Sequence, residues 1–124
     1  YISVTGVQTC ALPIWALRST RVLVRQVAIA AYHRRPVPQS YAHLADDLAD
    51  AVDAVVAELQ ADRMPVAARP VLLEVGAGTG RVERSEEMTA EVVLAQLRSV
   101  IADLLMLTGM GQLESSDALP PPPR

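Results

Sequence analysis

Apolar residues recur at three- and four-residue steps along three long stretches of this chain, the spacing of helices that turn one face to a core. In SYAHLADDLADAVDAVVAELQADR, Leu44, Leu48, Val52, Val55 and Leu59 form such a stripe, and Asp46, Asp47, Asp50 and Asp53 fill the other faces. Ser40 is placed to cap this helix, and the early aspartates suit the positive end of its dipole. In TAEVVLAQLRSVIADLLMLTGM, Val93, Leu97, Val100, Ile101, Leu104 and Leu107 turn inward, with Met106 and Met110 as core filling. Thr89 is placed as its cap, Glu91 suits its first turn, and Gly109 supplies a left-handed stop. In WALRSTRVLVRQVAIAAY, Leu17, Val24, Val27, Ala28 and Ala31 are expected on one inward stripe, with Arg18, Arg21 and Arg25 on the other side. That helix must stop near Pro36 and Pro38. The arginines read as a solvated face or as a surface beside anionic lipid head groups.

Between the last two long helices lies RPVLLEVGAGTGR, which fits two patterns. One is a helix led in by Pro65 and Pro70, with Val71, Leu72, Val75 and Val82 as a partial stripe. Each interior glycine costs such a helix roughly 1 kcal/mol against alanine, so it should be weak or broken near Gly76 to Gly80. The other is an apolar strand, the acidic Glu74, and then Gly76, Gly78 and Gly80, which resembles the first motif of S-adenosylmethionine-dependent methyltransferases. Glycines there let the backbone turn tightly against a ligand. The surrounding pattern argues against it, because the run after Thr89 has a period near 3.6 where a second strand is needed. Local sequence alone leaves residues 71–84 open between helix and strand-loop.

Composition narrows the chemistry. Hydrophobic residues make up 51% of the chain but aromatic ones only 3%, with no Phe, so the core is built from Ala, Val and Leu. The formal charge of -3 argues against the nucleic-acid footprint that a basic stripe would make. The basic residues are all Arg, which with the Ala and Asp content suggests a high-GC bacterial gene. His43 and Asp47, four apart, are two ligands at most, and the lone Cys10 offers neither a disulfide nor a zinc cluster. No catalytic, cofactor-binding or metal-ligating residue is assigned, and no cofactor is expected. The tail after Gly111 ends in LPPPPR and reads as an extended, polyproline-like, disordered end.

The first residues raise a separate question. YISVTGVQTCALPIW carries no charge, yet it is interrupted for a membrane span and lacks the basic start of a signal peptide. Its run Val4 to Ile14 looks like the in-frame translation of a short-read sequencing adapter, joined to gene sequence at Trp15. On that reading residues 1–15 are an artefactual, unstructured segment; the alternative is a genuine apolar arm.

The last helix also carries a family resemblance. Val93, Gln96, Arg98, Ser99, Asp103, Leu104, Leu105, Thr108 and Gly109 match the pattern V-x-x-Q-x-R-S-x-x-x-D-L-L-x-x-T-G. That pattern resembles the C-terminal end of bacterial FUSC-type proteins, the aromatic acid exporter family, and the likeness spans roughly residues 16–110. The glycine run departs from it, since alanines would be expected there. The resemblance implies the cytoplasmic helical region of an inner-membrane transporter whose membrane helices lie elsewhere in the parent. It implies no transport or chemistry of the segment's own, and it leaves self-association open. The expected fold is thus all-α: a small antiparallel bundle of three or four helices over residues 16–110, with disordered termini. A stand-alone helical interaction module and a truncated methyltransferase are the alternatives.

Overall fold

A computed structural model describes the backbone of residues 2–122 and the side chains of residues 11–122. Among the described residues it holds five α-helices and no strand: α1 (Ile2–Tyr32), α2 (Gln39–Gln60), α3 (Arg69–Gly78), α4 (Met88–Leu107) and α5 (Gln112–Asp117). A single 3-10 turn, Pro65–Ala68, leads into α3. The all-α expectation is met.

Helix α4 is the hub. Val93, Leu97, Val100, Ile101, Leu104 and Leu107 are all buried on it, as the spacing predicts. Helix α1 packs on one side of α4, while α3 packs on another and carries α2. Paired contacts fix the directions. Ser19 meets Asp103 and Arg35 meets Glu87, so α1 and α4 run antiparallel. Arg69 meets Thr108 and Arg98 meets Thr79, so α3 and α4 do too. Pro70 sits in the first turn of α3, where its missing N–H costs nothing.

Three helices end in the same way. Arg35 N–H donates to Ala30 O while Arg34 takes φ 52°, and Arg63 N–H donates to Glu58 O while Asp62 takes φ 56°. Met110 N–H donates to Leu105 O beside Gly109 at φ 104°. This left-handed stop satisfies orphan carbonyls at each helix end. It was expected at Gly109; at α1 and α2 non-glycine residues adopt it.

Several expectations are corrected. Helix α1 runs from Ile2 through Pro13 to Tyr32. Its Leu12 packs against the core. Leu17, Val24, Val27, Ala28 and Ala31 are exposed, not inward. The seam with α4 is made instead by Leu12, Ala16, Ser19, Leu23, Gln26 and Ala30, which are buried or half-buried. On a helix these alternate at four- and three-residue steps, and small residues among them admit a close approach. The stretch after Gly111 is not wholly extended, since it forms α5 and then lays Leu119 and Pro120 on α3. Neither Ser40 nor Thr89 is a cap: Pro38 and Glu87 hold those positions without side-chain bonds, and the buried Ser40 hydroxyl has no partner among the described residues. Leu59 is exposed, and Ala51 takes the place on the α2 stripe beside Val52.

Candidate functional site

Of the three fully buried polar side chains described, Ser115 bonds back to Gly111 O at the start of α5, and the other two mark junctions between α3 and α4. Thr79 and Thr108 are fully buried, each as the residue that closes its helix. Each threonine hydroxyl donates back to a carbonyl one turn earlier, Thr79 to Gly76 O and Thr108 to Leu105 O, both at 2.6 Å. Each also accepts from an arginine on the opposite helix: Arg98 Nη1 reaches Thr79 Oγ1 at 2.6 Å and Arg69 Nε reaches Thr108 Oγ1 at 3.1 Å. Arg69 Nη2 further donates to Thr108 O at 2.6 Å, and Arg98 Nη2 to Pro120 O at 2.5 Å. Burial pushes the Arg98 guanidinium below the usual arginine value, by penalising its charged form.

The Arg98 junction opens into a cleft between α4, α5 and the loop before α4, lined by Tyr41, Arg84, Ser85, Glu91, Ser99 and Ser116 among others. Its charges are largely engaged within the protein. Arg84 lies 3.9 Å from Glu91, and Arg98 is held by Thr79 and Pro120. The Tyr41 hydroxyl donates to Glu83 O at 3.1 Å and ties the start of α2 to that loop. Burial, then the nearby carboxylates of Glu91 and Glu83, hold the Tyr41 phenol above its ordinary pKa. No histidine lines the cleft, so its serines have no imidazole base beside them.

The glycine run is part of this junction. Residues 71–78 are helical, so the strand that a methyltransferase motif requires is not formed. The space beside the glycines is filled by the protein itself. A Cβ on Gly76 would lie 2.7 Å from Leu119 Cδ2, and one on Gly80 would lie 2.7 Å from Pro120 Cγ and 3.3 Å from Pro121 O. A Cβ on Gly78 would meet Leu44 Cδ2 at 3.1 Å. Glu74 is exposed and pairs with Arg81 at 3.3 Å. These glycines admit the C-terminal segment and α2 where a cofactor was one reading of the sequence. The helix does end here, as its glycines predict.

Of the other residues singled out by pattern, His43 and Asp47 lie exposed on α2. Among the described residues no group of three His, Cys, Asp or Glu side chains could hold a metal ion. The side chain of Cys10 lies outside the described residues. Met110 is half-buried against the core and Met106 half-buried on α4. Sequence reasoning missed the Arg–Thr brackets, although the two Thr-Gly pairs at residues 79–80 and 108–109 mark both of them. No family model, curated protein or solved structure matches the chain.

Proposed function

We propose that this chain is the non-membrane helical domain of an exporter-like protein of the FUSC type, attached to a transmembrane part in the bacterial inner membrane and lying on its cytoplasmic side. Its work is to hold and present surfaces, and efflux of aromatic acids belongs to the parent. The observation that carries this reading is the role of the α4 residues behind the resemblance. Arg98 brackets Thr79 and Pro120, Asp103 accepts from Ser19 on α1, Thr108 accepts from Arg69, and Gly109 takes the left-handed stop. A pattern in which three members fasten α1, α3 and the segment after α5 to α4 describes a helical assembly rather than generic apolar content. No described helix is long and apolar enough to cross a membrane.

A free-standing interaction module is the second reading, favoured by the apolar residues that α1 leaves exposed. The genomic sequence upstream of this reading frame separates the two. Several apolar spans of about 20 residues in frame support the exporter domain. A complete start without such spans overturns it in favour of the module.

A further inference from the structure

Helix α1 turns to solvent a surface of two residue kinds. Leu17, Val24 and Ile14 are 65%, 61% and 56% exposed, and Arg18, Arg21 and Arg25 lie among them. No acidic residue occurs before Asp46, so nothing on this helix neutralises the arginines. None of the three forms an ion pair among the described residues.

The opposite character appears across the molecule. Between α2 and α3 runs a groove with an apolar floor that includes Leu44, Val71 and Val75, rimmed by Asp47 and Asp50 on α2 and by the Glu74–Arg81 ion pair on the other side. Asp47 and Asp50 are exposed and likewise make no ion pair among the described residues. Spacing matches as well as sign. Asp47 and Asp50 are three residues apart on α2, and Arg18 and Arg21 three apart on α1, so both pairs repeat about 4.5 Å along a helix axis.

We infer that the outward face of α1 docks into the α2–α3 groove of a second copy of this chain, its arginines meeting Asp47 and Asp50. A bilayer is the weaker partner for this face, because Arg21 and Arg25 stand mid-face, where an interfacial helix places its deepest apolar residues. Helix α4 lies between α1 and the α2–α3 layer, so donor and acceptor surfaces sit on different sides of one molecule. Such a contact is head-to-tail: each copy offers one face and receives at the other, which gives an open chain or a ring rather than a two-fold dimer. The inference concerns two copies of this chain and holds for either reading of its function.

Sedimentation of the full chain over a range of concentrations tests it. The expected result is a mass that rises with concentration, with self-association weakened about tenfold or more as NaCl goes from about 0.05 M to about 0.5 M. R21D/R25D and D47R/D50R should each sediment as monomers, and mixing them should restore head-to-tail association of alternating copies, because each variant's α1 face then finds a groove of opposite sign only on the other variant. L17S/V24S, which leaves every charge in place, should also weaken association. All these positions are exposed, and circular-dichroism melts identify any variant that fails to fold. A wild-type chain that stays monomeric throughout overturns the inference, as does an oligomer indifferent to both reversals. Pelleting of a monomeric wild type with phosphatidylglycerol vesicles, lost in R21D/R25D, would assign the α1 face to lipid and overturn it too.

Discussion

Arg98 on α4 donates to the hydroxyl of Thr79 at the end of α3, and Arg69 at the start of α3 donates to the hydroxyl of Thr108 at the end of α4. The two helices thus close each other's C-termini, with the same pair of residue types used in opposite directions. Each helix end has carbonyls without an intrahelical partner, and each buried threonine hydroxyl needs an acceptor and can take a donor. The bracket meets both needs at once. It also fixes the antiparallel register, since α3 cannot slide along α4 without losing both arginines' bonds.

Breaking one bracket should therefore cost more than an exposed ion pair. Arg98→Ala removes the donors to Thr79 Oγ1 and Pro120 O, and hydrogen bonds from charged groups contribute roughly 1.5–3 kcal/mol. Arg98→Lys should recover only part of this, because one ammonium lacks the planar fork that reaches two acceptors. Urea unfolding of both variants checks the order. A double-mutant cycle with Thr79→Val should show coupling of at least about 0.5 kcal/mol, as expected for residues in contact. Additivity would show that the bracket does not act as a unit.

Gly80 and Gly76 should respond differently to alanine. At Gly80 the new methyl meets Pro120, a rigid ring, and the Pro121 carbonyl, so Gly80→Ala should destabilise by about 1–3 kcal/mol and release the segment after α5. At Gly76 it crowds the flexible end of Leu119 and meets Ile101 Cγ2 at an ordinary 3.6 Å, and the helix propensity gained, roughly 1 kcal/mol, offsets the shift. Limited proteolysis should cut the C-terminal segment faster in the Gly80 variant than in the Gly76 variant. Equal protection in both would show that the close approach at Gly80 does not hold that segment. Calorimetric titration with S-adenosylmethionine should show no binding before or after either change.

How much of this was legible follows from how each helix uses its apolar residues. The stripe of α4 is read correctly because its buried face is also its most apolar face. Helix α1 is misread for the opposite reason. Val, Leu, Ile and Ala occur almost all round it, and the face that packs includes Ala16, Ser19, Gln26 and Ala30, small or polar residues that a search for apolarity ranks low. Close approach and the Ser19–Asp103 bond, at 2.5 Å, decide that seam, and both depend on α4, remote in sequence. The glycine run was undecided for a similar reason, since what fills the space beside Gly76 and Gly80 arrives from Leu119 and Pro120.

The two faces of α1 allow a direct comparison with the core. Leu97 is 1% exposed at the centre of the bundle, so Leu97→Ala should cost about 2–5 kcal/mol. Leu17→Ala, on the outward face, should change stability by no more than about 0.5 kcal/mol. Ala30 is 2% exposed, and Ala30→Leu should overpack the seam by roughly 1–3 kcal/mol. Thermal melts at a concentration low enough to exclude self-association give all three. A large loss at Leu17 would restore the inward stripe expected from sequence.

Arg34 and Asp62 hold left-handed conformations that glycine adopts without strain. Both are exposed and stand one residue before the N–H that closes the helix end. Arg34→Gly and Asp62→Gly should each stabilise the protein, by up to about 1 kcal/mol, with the gain at Arg34 larger because aspartate tolerates this region better. The glycine's extra freedom in the unfolded chain takes back part of the gain. A destabilised Arg34→Gly variant would show that the arginine side chain has a role beyond its backbone.

Tyr41 makes stability depend on alkaline pH in a direction that can be worked out. Its phenol is neutral in the folded protein, donates to Glu83 O, and is held above its ordinary value of 10.0 by burial and by the carboxylates of Glu91 and Glu83. A folded-state pKa above the unfolded one means that the folded form keeps its proton longer. The stabilisation is fully present below pH 10 and is lost as pH rises through the folded value. Absorbance at alkaline pH should therefore show Tyr41 ionising above the ordinary phenol value, in step with loss of helix by circular dichroism. Tyr41→Phe should remove this late step and the part of the alkaline unfolding linked to it, while lowering stability at neutral pH by about 0.5–1.5 kcal/mol for the lost hydrogen bond. If Tyr41 ionises at its ordinary value while the helices persist, it is not sealed between α2 and the loop before α4, and the tie that shapes one wall of the cleft is absent.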